Sequence, residues 1–200
     1  MPYIIRPRRV RSFAVAILGS AALFGVVPAV ASAACPTPES ASLLSSLGDN
    51  ASYFPLSGSS FEEGAPGWSL NSASIVNEGN EALEDDHSLL INPGGQAVSP
   101  AFCVSTNIPS FRFFARQRSG GWFGVLNVSL RFRDGWGYTH EVPVSYGIPS
   151  SSSWALSPVL ELAKSLPWWA PNNVSVNLVF RPAYDSSWAI DDVLIDPYSR

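Results

Sequence analysis

Residues 123–133, "FGVLNVSLRFR", alternate with period two: Leu126, Val128, Leu130 and Phe132 share one face, and Asn127, Ser129, Arg131 and Arg133 share the other. Side chains along an extended strand point to opposite sides in turn, so this pattern marks a strand with one buried and one wet face. "VSVNLVFR", residues 174–181, repeats it, with Val174, Val176, Leu178 and Phe180 opposing Ser175, Asn177 and Arg181. Sheets of this kind, packed on one side and solvated on the other, are characteristically antiparallel.

"FRFFARQ" from Phe111, "SLLI" from Ser88 and "WAIDDVLI" from Trp188 read as further strands, and "SASIV", "EVPVSY" and "SSWAL" carry the signal more weakly. Turn residues separate them at "NPGG", "RSGGW", "RDGWG" and "GIPSSS". Many short strands with frequent turns and abundant proline predict an all-β, antiparallel β-sandwich. One segment competes: in "SPVLELAKSLPWW" Ser157 suits a cap, Pro158 a first helical position and Pro167 a stop, which allows one short helix near 158–166.

The N-terminus has the order of a signal peptide. Arg6, Arg8, Arg9 and Arg11 precede an apolar run from Phe13 to Val30 and the small residues of "ASAAC". The run is near the minimum for a membrane span and contains Gly19, Gly25 and Pro28, which favours cleavage over a retained anchor. Ser32 stands where acylation of Cys35 would want a large aliphatic residue, and no apolar pair follows the twin arginines. The expected organisation is therefore a signal peptide over 1–34, a loosely packed Ser- and Pro-rich extension over 35–52 and a β-sandwich over 53–200, secreted and with no membrane insertion after cleavage. Cleavage removes four of twelve basic residues and none of sixteen acidic ones, leaving a net charge of −8 that excludes nucleic acid and anionic lipid as natural partners. Residues 35–110 hold nine acidic and no basic side chains, whereas Arg112, Arg116, Arg118, Arg131 and Arg133 crowd 111–133. Solvated strand faces or an interaction surface would each explain that segregation.

The two cysteines, Cys35 and Cys103, both survive cleavage into an oxidising compartment, so a disulfide between them is expected. It would tie the mature N-terminus to the middle of the fold.

The segments "GSSFEEGAPGWSL", "SLLINPGGQAVSPAFCV", "FRFFAR" and "SWAIDDVLIDPYSR" together resemble a family of uncharacterised secreted proteins of high-GC Gram-positive bacteria. More distantly, the opening Phe-Glu with Gly and Trp, closed by an Ala-Ile-Asp-Asp-Val strand, is similar to the jelly-roll (galactose-binding-like) of carbohydrate-binding modules and MAM-type adhesion domains. That resemblance implies first and last strands that pair. It also implies a closing-strand acid that either accepts loop hydrogen bonds or ligates structural calcium; the matching residues are Asp191 and Asp192, with Glu62 and Glu63 as neighbours on the first strand. Fold alone confers no function.

The same pair poses a physical problem. Adjacent residues on a strand diverge, so one of Asp191 and Asp192 is expected to be buried and satisfied and the other to face solvent. Both flanks are apolar, so the sequence does not say which.

Groups for catalysis are scarce. There is no nucleophile elbow, the cysteines are expected to be oxidised, and the histidines are His87 and His140. Glu84, Asp85, Asp86 and His87 could bind a metal or simply form a polar loop tip, and a carboxylate pair for glycoside hydrolysis is not selected by any spacing. Seven tryptophans offer more. Trp122, Trp136, Trp168 and Trp169 fall in turns and are candidates for stacking on sugar rings, whereas Trp68, Trp154 and Trp188 lie in or beside strands and belong to the core. The sequence thus favours a secreted, non-catalytic domain that binds carbohydrate or cell-surface glycan. The alternative is an extracytoplasmic structural or interaction domain whose partner is a cell-surface protein; a glycoside-active enzyme ranks behind both.

Overall fold

The computed structural model describes residues 35, 38–105, 110–171 and 173–196, the side chain of Tyr146 excepted. These lie in the second of two compact units, Ser32–Arg200; the expected signal peptide falls outside the described residues. Eleven strands are formed among them: β1 (Phe54–Pro55), β2 (Ser69–Val76), β3 (Ser88–Val98), β4 (Phe102–Val104), β5 (Ser110–Ser119), β6 (Val125–Arg133), β7 (Thr139–Ile148), β8 (Ala155–Leu156), β9 (Leu160–Glu161), β10 (Val174–Ala183) and β11 (Ser187–Asp196). The fold is all-β and antiparallel, a curled jelly-roll with strand order β7–β6–β10–β3–β11–β5–β8.

β3 is what turns one sheet into two layers. Its first half, Leu89–Ile91, pairs β11, and its end, Ala97 and Val98, pairs β10. "NPGG" was expected to be a turn, but the strand runs through it as a bend. Gly94 takes φ +71° there, and β2 follows the bend with a register shift between Asn71 and Ala73. A kinked strand with an aligned partner passes between layers without breaking its ladder. One layer holds β5, β11 and the start of β3; the other holds β10, β6 and β7. Between them lies the main core, with Val128, Leu130, Leu178, Phe180, Trp188 and Ile190 all buried. Val128 and Leu130 point inward while Ser129 and Arg131 do not, as the alternation requires.

First and last strands pair: Phe54 faces Ile195 and Pro55 faces Leu194. Cys35 and Cys103 are bridged, with Cα atoms 5.4 Å apart. Most described residues of the extension are exposed, and it is anchored at Leu44. Leu44 and Tyr53 are buried against Phe114 and Leu194 in a second, smaller cluster on the outer side of β5 and β11. Asp49 fixes its end, accepting from Tyr53 Oη at 2.7 Å and Arg112 Nη1 at 2.8 Å.

The helix allowed near 158–166 does not form. Ser157 is bound to β5 instead of capping: its N–H donates to Phe113 O at 2.8 Å, and its Oγ accepts from Phe113 N at 3.1 Å. Leu160–Glu161 then pairs Phe111 and Ser110 as β9. The open edge of β5 supplies several backbone partners at once, which outweighs a propensity worth tenths of a kcal/mol per residue. The charge segregation along the chain resolves into ion pairs between elements: Arg112 with Asp49, and Arg116 and Arg118 with the one carboxylate of Glu78.

Candidate functional site

Every residue of β11 is buried, because both faces of this strand are covered. Asp191 and Asp192 are both inside, at 0% and 5% exposure, so the expectation that one would reach solvent is overturned. The reason is a bulge. From Asp191, opposite Phe114, to Leu194, opposite Arg112, β11 takes three steps while β5 takes two, and Asp192 sits at φ +43°. The extra residue breaks the two-residue period and re-aims the side chain. A left-handed backbone is less costly for Asp than for most residues.

What satisfies the pair is the loop between β2 and β3. Asn80 Nδ2 donates to Asp191 Oδ2 at 3.0 Å and to Asp192 Oδ2 at 2.6 Å, and Asn80 N donates to Asp191 Oδ2 at 3.0 Å. Asp192 N closes on Asp191 Oδ1 at 3.0 Å. The amide oxygen of Asn80 in turn accepts from Ala82 N and Leu83 N, each at 3.1 Å, so the loop is built around this one side chain. Gly79 permits the close winding, since a Cβ there would stand 2.0 Å from Asp85 O.

The same loop brings Asp85 in. Among the described residues, Asp85, Asp191 and Asp192 form the one group of acidic, His or Cys side chains whose ligand atoms converge, all within 4.8 Å of one another. Burial pushes the Asp191 carboxyl up to about 7, the Asn80 bonds opposing it. Burial raises Asp192 to about 8, with Asp85 and Asp191 pushing the same way. Asp85 Oδ2 is buried with no hydrogen-bond partner. Three convergent carboxylates and an orphaned oxygen fit a hard divalent cation such as calcium, which prefers oxygen ligands, and these three residues could hold it.

Glu62 and Glu63 do not belong to this set. The first strand ends at Pro55, and the "FEEG" segment is a turn with Phe61 at φ +59° and its ring buried edge-on to Trp68, 5.1 Å between centroids. That anchoring leaves Glu62 and Glu63 exposed. Glu62 binds His87 Nδ1 at 2.9 Å and accepts from Asp86 N and His87 N at 2.9 and 2.8 Å. The His87 bond is the main cause that lowers its pKa. The "EDDH" residues therefore part company, with Asp85 turned to the aspartates and His87 to Glu62. Asn80 and Gly79 were not anticipated; the signal that could have pointed to them is the run "EGNEALEDDH", too polar and too Gly- and Asn-punctuated for a strand.

The four turn tryptophans are exposed, Trp122 at 96%, Trp136 at 84%, Trp168 at 95% and Trp169 at 42%. Trp68 and Trp188 are core, but Trp154, expected there too, is only half-buried against the smaller cluster, because the short strand β8 that it precedes pairs the outer edge of β5. Pairing of Phe132 with Val176 and of Val125 with Ala183 places them at two ends. The β6–β7 hairpin and the loop before β10 bring Trp136, Trp168 and Trp169 to one end. Trp122 stands at the other with Phe123 and Tyr184, likewise exposed.

Asp134 shapes the first end. Its Oδ1 accepts from Trp136 N and Tyr138 N, both at 2.9 Å, and its Oδ2 meets His140 Nε2 at 2.7 Å. The His140 bond chiefly holds the Asp134 carboxyl below its usual range. Trp169 stacks edge-on to His140 at 4.8 Å and lies 5.9 Å from Phe132. Beside them opens a groove of about 410 Å³ lined by Arg131, Arg133, Thr139, Ser175 and Asn177. Flat aromatic faces beside convergent donors and acceptors form a surface suited to a ring compound rich in hydroxyls.

No family model matches the chain, and no curated protein matches it. Solved structures do match the fold. The xylan-binding CBM22-1 domain of Paenibacillus barcinonensis Xyn10C is 15% identical, with a TM-score of 0.52 over 70% of this chain and 93% of that one. Another xylan-binding CBM22 domain is 15% identical, with a TM-score of 0.50 over 76% of this chain and 99% of that one. The enzymatically active domain of bacteriophage CBA120 tailspike protein 4 is 19% identical, with a TM-score of 0.51 over 70% of this chain; the match spans 21% of the tailspike chain. At these identities the likeness is one of fold, a jelly-roll shared with carbohydrate-binding modules.

Proposed function

We propose that this is a secreted, non-catalytic carbohydrate-binding domain whose glycan lies across the end formed by Trp136, Trp168 and Trp169. The observation that carries the reading is the placement of these exposed rings at one end of the sheet, with Trp169 5.9 Å from Phe132, itself a wall of the groove that Arg131, Arg133, Thr139, Ser175 and Asn177 line. A protein-docking patch has less use for such a groove. The fold adds support: one neighbour, a CBM22-1 module joined to a xylanase, is described in complex with xylohexaose, at a TM-score of 0.52 and 12% identity over 69% of this chain and 27% of that one. Export is supported by the N-terminal signal pattern and the disulfide. Calcium at Asp85, Asp191 and Asp192 would serve structure, offsetting two of the three negative charges that the fold brings together.

The alternative, a protein partner, has one observation of its own: Trp122, Phe123 and Tyr184 form an exposed apolar tip at the opposite end.

A glycan array probed with the purified protein, with and without calcium, tests the reading. Binding that Trp136→Ala and Trp168→Ala each weaken about fivefold or more supports it, since a stacked sugar ring is worth about 1 kcal/mol or more. Binding indifferent to both, or none on any glycan, overturns it.

A further inference from the structure

We infer that a groove on the outer face of β5 is a second saccharide site, taking a neutral oligosaccharide and independent of the tryptophan end; the inference rests on the glycan-binding reading above. The groove, about 800 Å³, crosses β5 at Phe114 and Arg116 between segments 80–82 and 152–156. That volume falls within the range of pockets that enclose small ligands.

Its walls stand before any ligand arrives. One is the segment that starts at Asn80, which is fully buried and tied to Asp191 and Asp192. The other is held by β8, where Leu156 and Ala155 pair Phe114 and Ala115, and by Gln117 N donating to Ser151 O at 2.7 Å. A preformed groove spares a ligand the ordering cost that a mobile one would exact.

The lining selects the ligand class. Half-buried Trp154 and Leu156 give an apolar surface over the buried ring of Phe114, and Arg116, Glu81 and Ser153 stand around it. Arg116 is held by Glu78 through Nη1, and a guanidinium carries further N–H donors. Glu81 supplies acceptors, and Ser153 both kinds. A pyranose shows the complement, an apolar ring face bounded by hydroxyls that donate and accept. An acidic sugar would set its carboxylate against Glu81, which is why the neutral class is favoured. The tryptophan end lies on the β6–β7 hairpin of the opposite layer, so one domain could hold two chains at once and bind a polysaccharide with avidity.

The tryptophan indole N–H signals of the ¹⁵N-labelled full chain report each site separately during titration with xylohexaose, cellohexaose and mannohexaose. The expected result is a saturable shift of the Trp154 signal with one of these, retained in the Trp136→Ala, Trp168→Ala double variant and about tenfold weaker in Glu81→Ala. Glu81 is exposed, so that substitution leaves folding intact. Shifts confined to Trp136, Trp168 and Trp169 overturn the groove and leave the first reading standing. Shifts confined to Trp154 uphold the groove and overturn the tryptophan end. Loss of the Trp154 response in the double variant, or unchanged affinity in Glu81→Ala, overturns the groove. Silence of the Trp154 signal with all three sugars overturns the groove, while the glycan array decides the tryptophan end.

Discussion

Asn80 and Asp191 are joined twice across 111 positions of sequence: the backbone N–H and the side-chain Nδ2 of Asn80 both donate to Asp191 Oδ2, each at 3.0 Å. Because Nδ2 also reaches Asp192, one amide fixes the closing strand, the β2–β3 loop and the carboxylate cluster together. Several expected outcomes depend on that single residue.

Replacing Asn80 with Ala leaves two buried carboxyls short of donors and the amides of Ala82 and Leu83 short of an acceptor. Unfolding in urea should register a loss of about 2–4 kcal/mol. A loss within about 0.5 would mean that the bridge contributes nothing to stability.

Calcium should raise the melting temperature of the wild type in proportion to the logarithm of its concentration, and a chelator should lower it. At a hundredfold excess over the dissociation constant the gain is about 2.7 kcal/mol. Asp192→Asn should respond to neither. A wild type indifferent to both reagents removes calcium from this site.

Gly79 tests the loop from its backbone. A methyl group there would meet Asp85 O at 2.0 Å and Asp85 C at 2.3 Å, atoms that cannot swing aside as a side chain can. Gly79→Ala should therefore displace Asp85, cost about 2 kcal/mol or more and abolish the calcium response. Full stability and an intact calcium response in this variant would contradict the winding described for the loop.

Alternation in β6 makes a cleaner comparison. Leu130→Ala should cost about 2–5 kcal/mol and Val128→Ala somewhat less, whereas Ser129→Ala should stay within about 0.5. Equal losses would mean that the faces of this strand are misassigned.

Glu141 carries a pH dependence. Arg181 first and Arg131 second hold its carboxyl below the ordinary 4.5, against the opposing effect of burial. A lowered folded value means that the contribution is complete above pH 4.5 and is lost as pH falls through the folded value. Glu141→Gln should thus be less stable than wild type at pH 7, by about 0.5–1 kcal/mol for a partly solvated pair of bridges, with the difference shrinking toward pH 3. A difference constant from pH 7 to pH 3 would rule out the ion pairs as its source.

The sequence alone determined whatever depends on spacing within a few residues. Period-two alternation placed β6 and β10 and told their inner from their outer faces, and the turn signals of "SGGW", "DGWG" and the proline-flanked "PWWAP" marked Trp122, Trp136, Trp168 and Trp169 as candidates for the surface. Two cysteines left one pairing to form. Tertiary structure alone decided the rest, because those outcomes depend on which distant backbone a residue meets. The unpaired edge of β5 drew Leu160–Glu161 into a strand where local capping signals allowed a helix. The passage of β3 from one layer to the other made a bend of "NPGG". At the closing strand, the bulge at Asp192 cancelled the alternation from which one aspartate was expected to face solvent, and Asn80 and Asp85 arrived from a loop roughly a hundred residues earlier in the chain. A side-chain period is a property of a few consecutive dihedrals and can be read in the letters. A bulge and the convergence of distant carboxyls arise only when strands settle into register against one another.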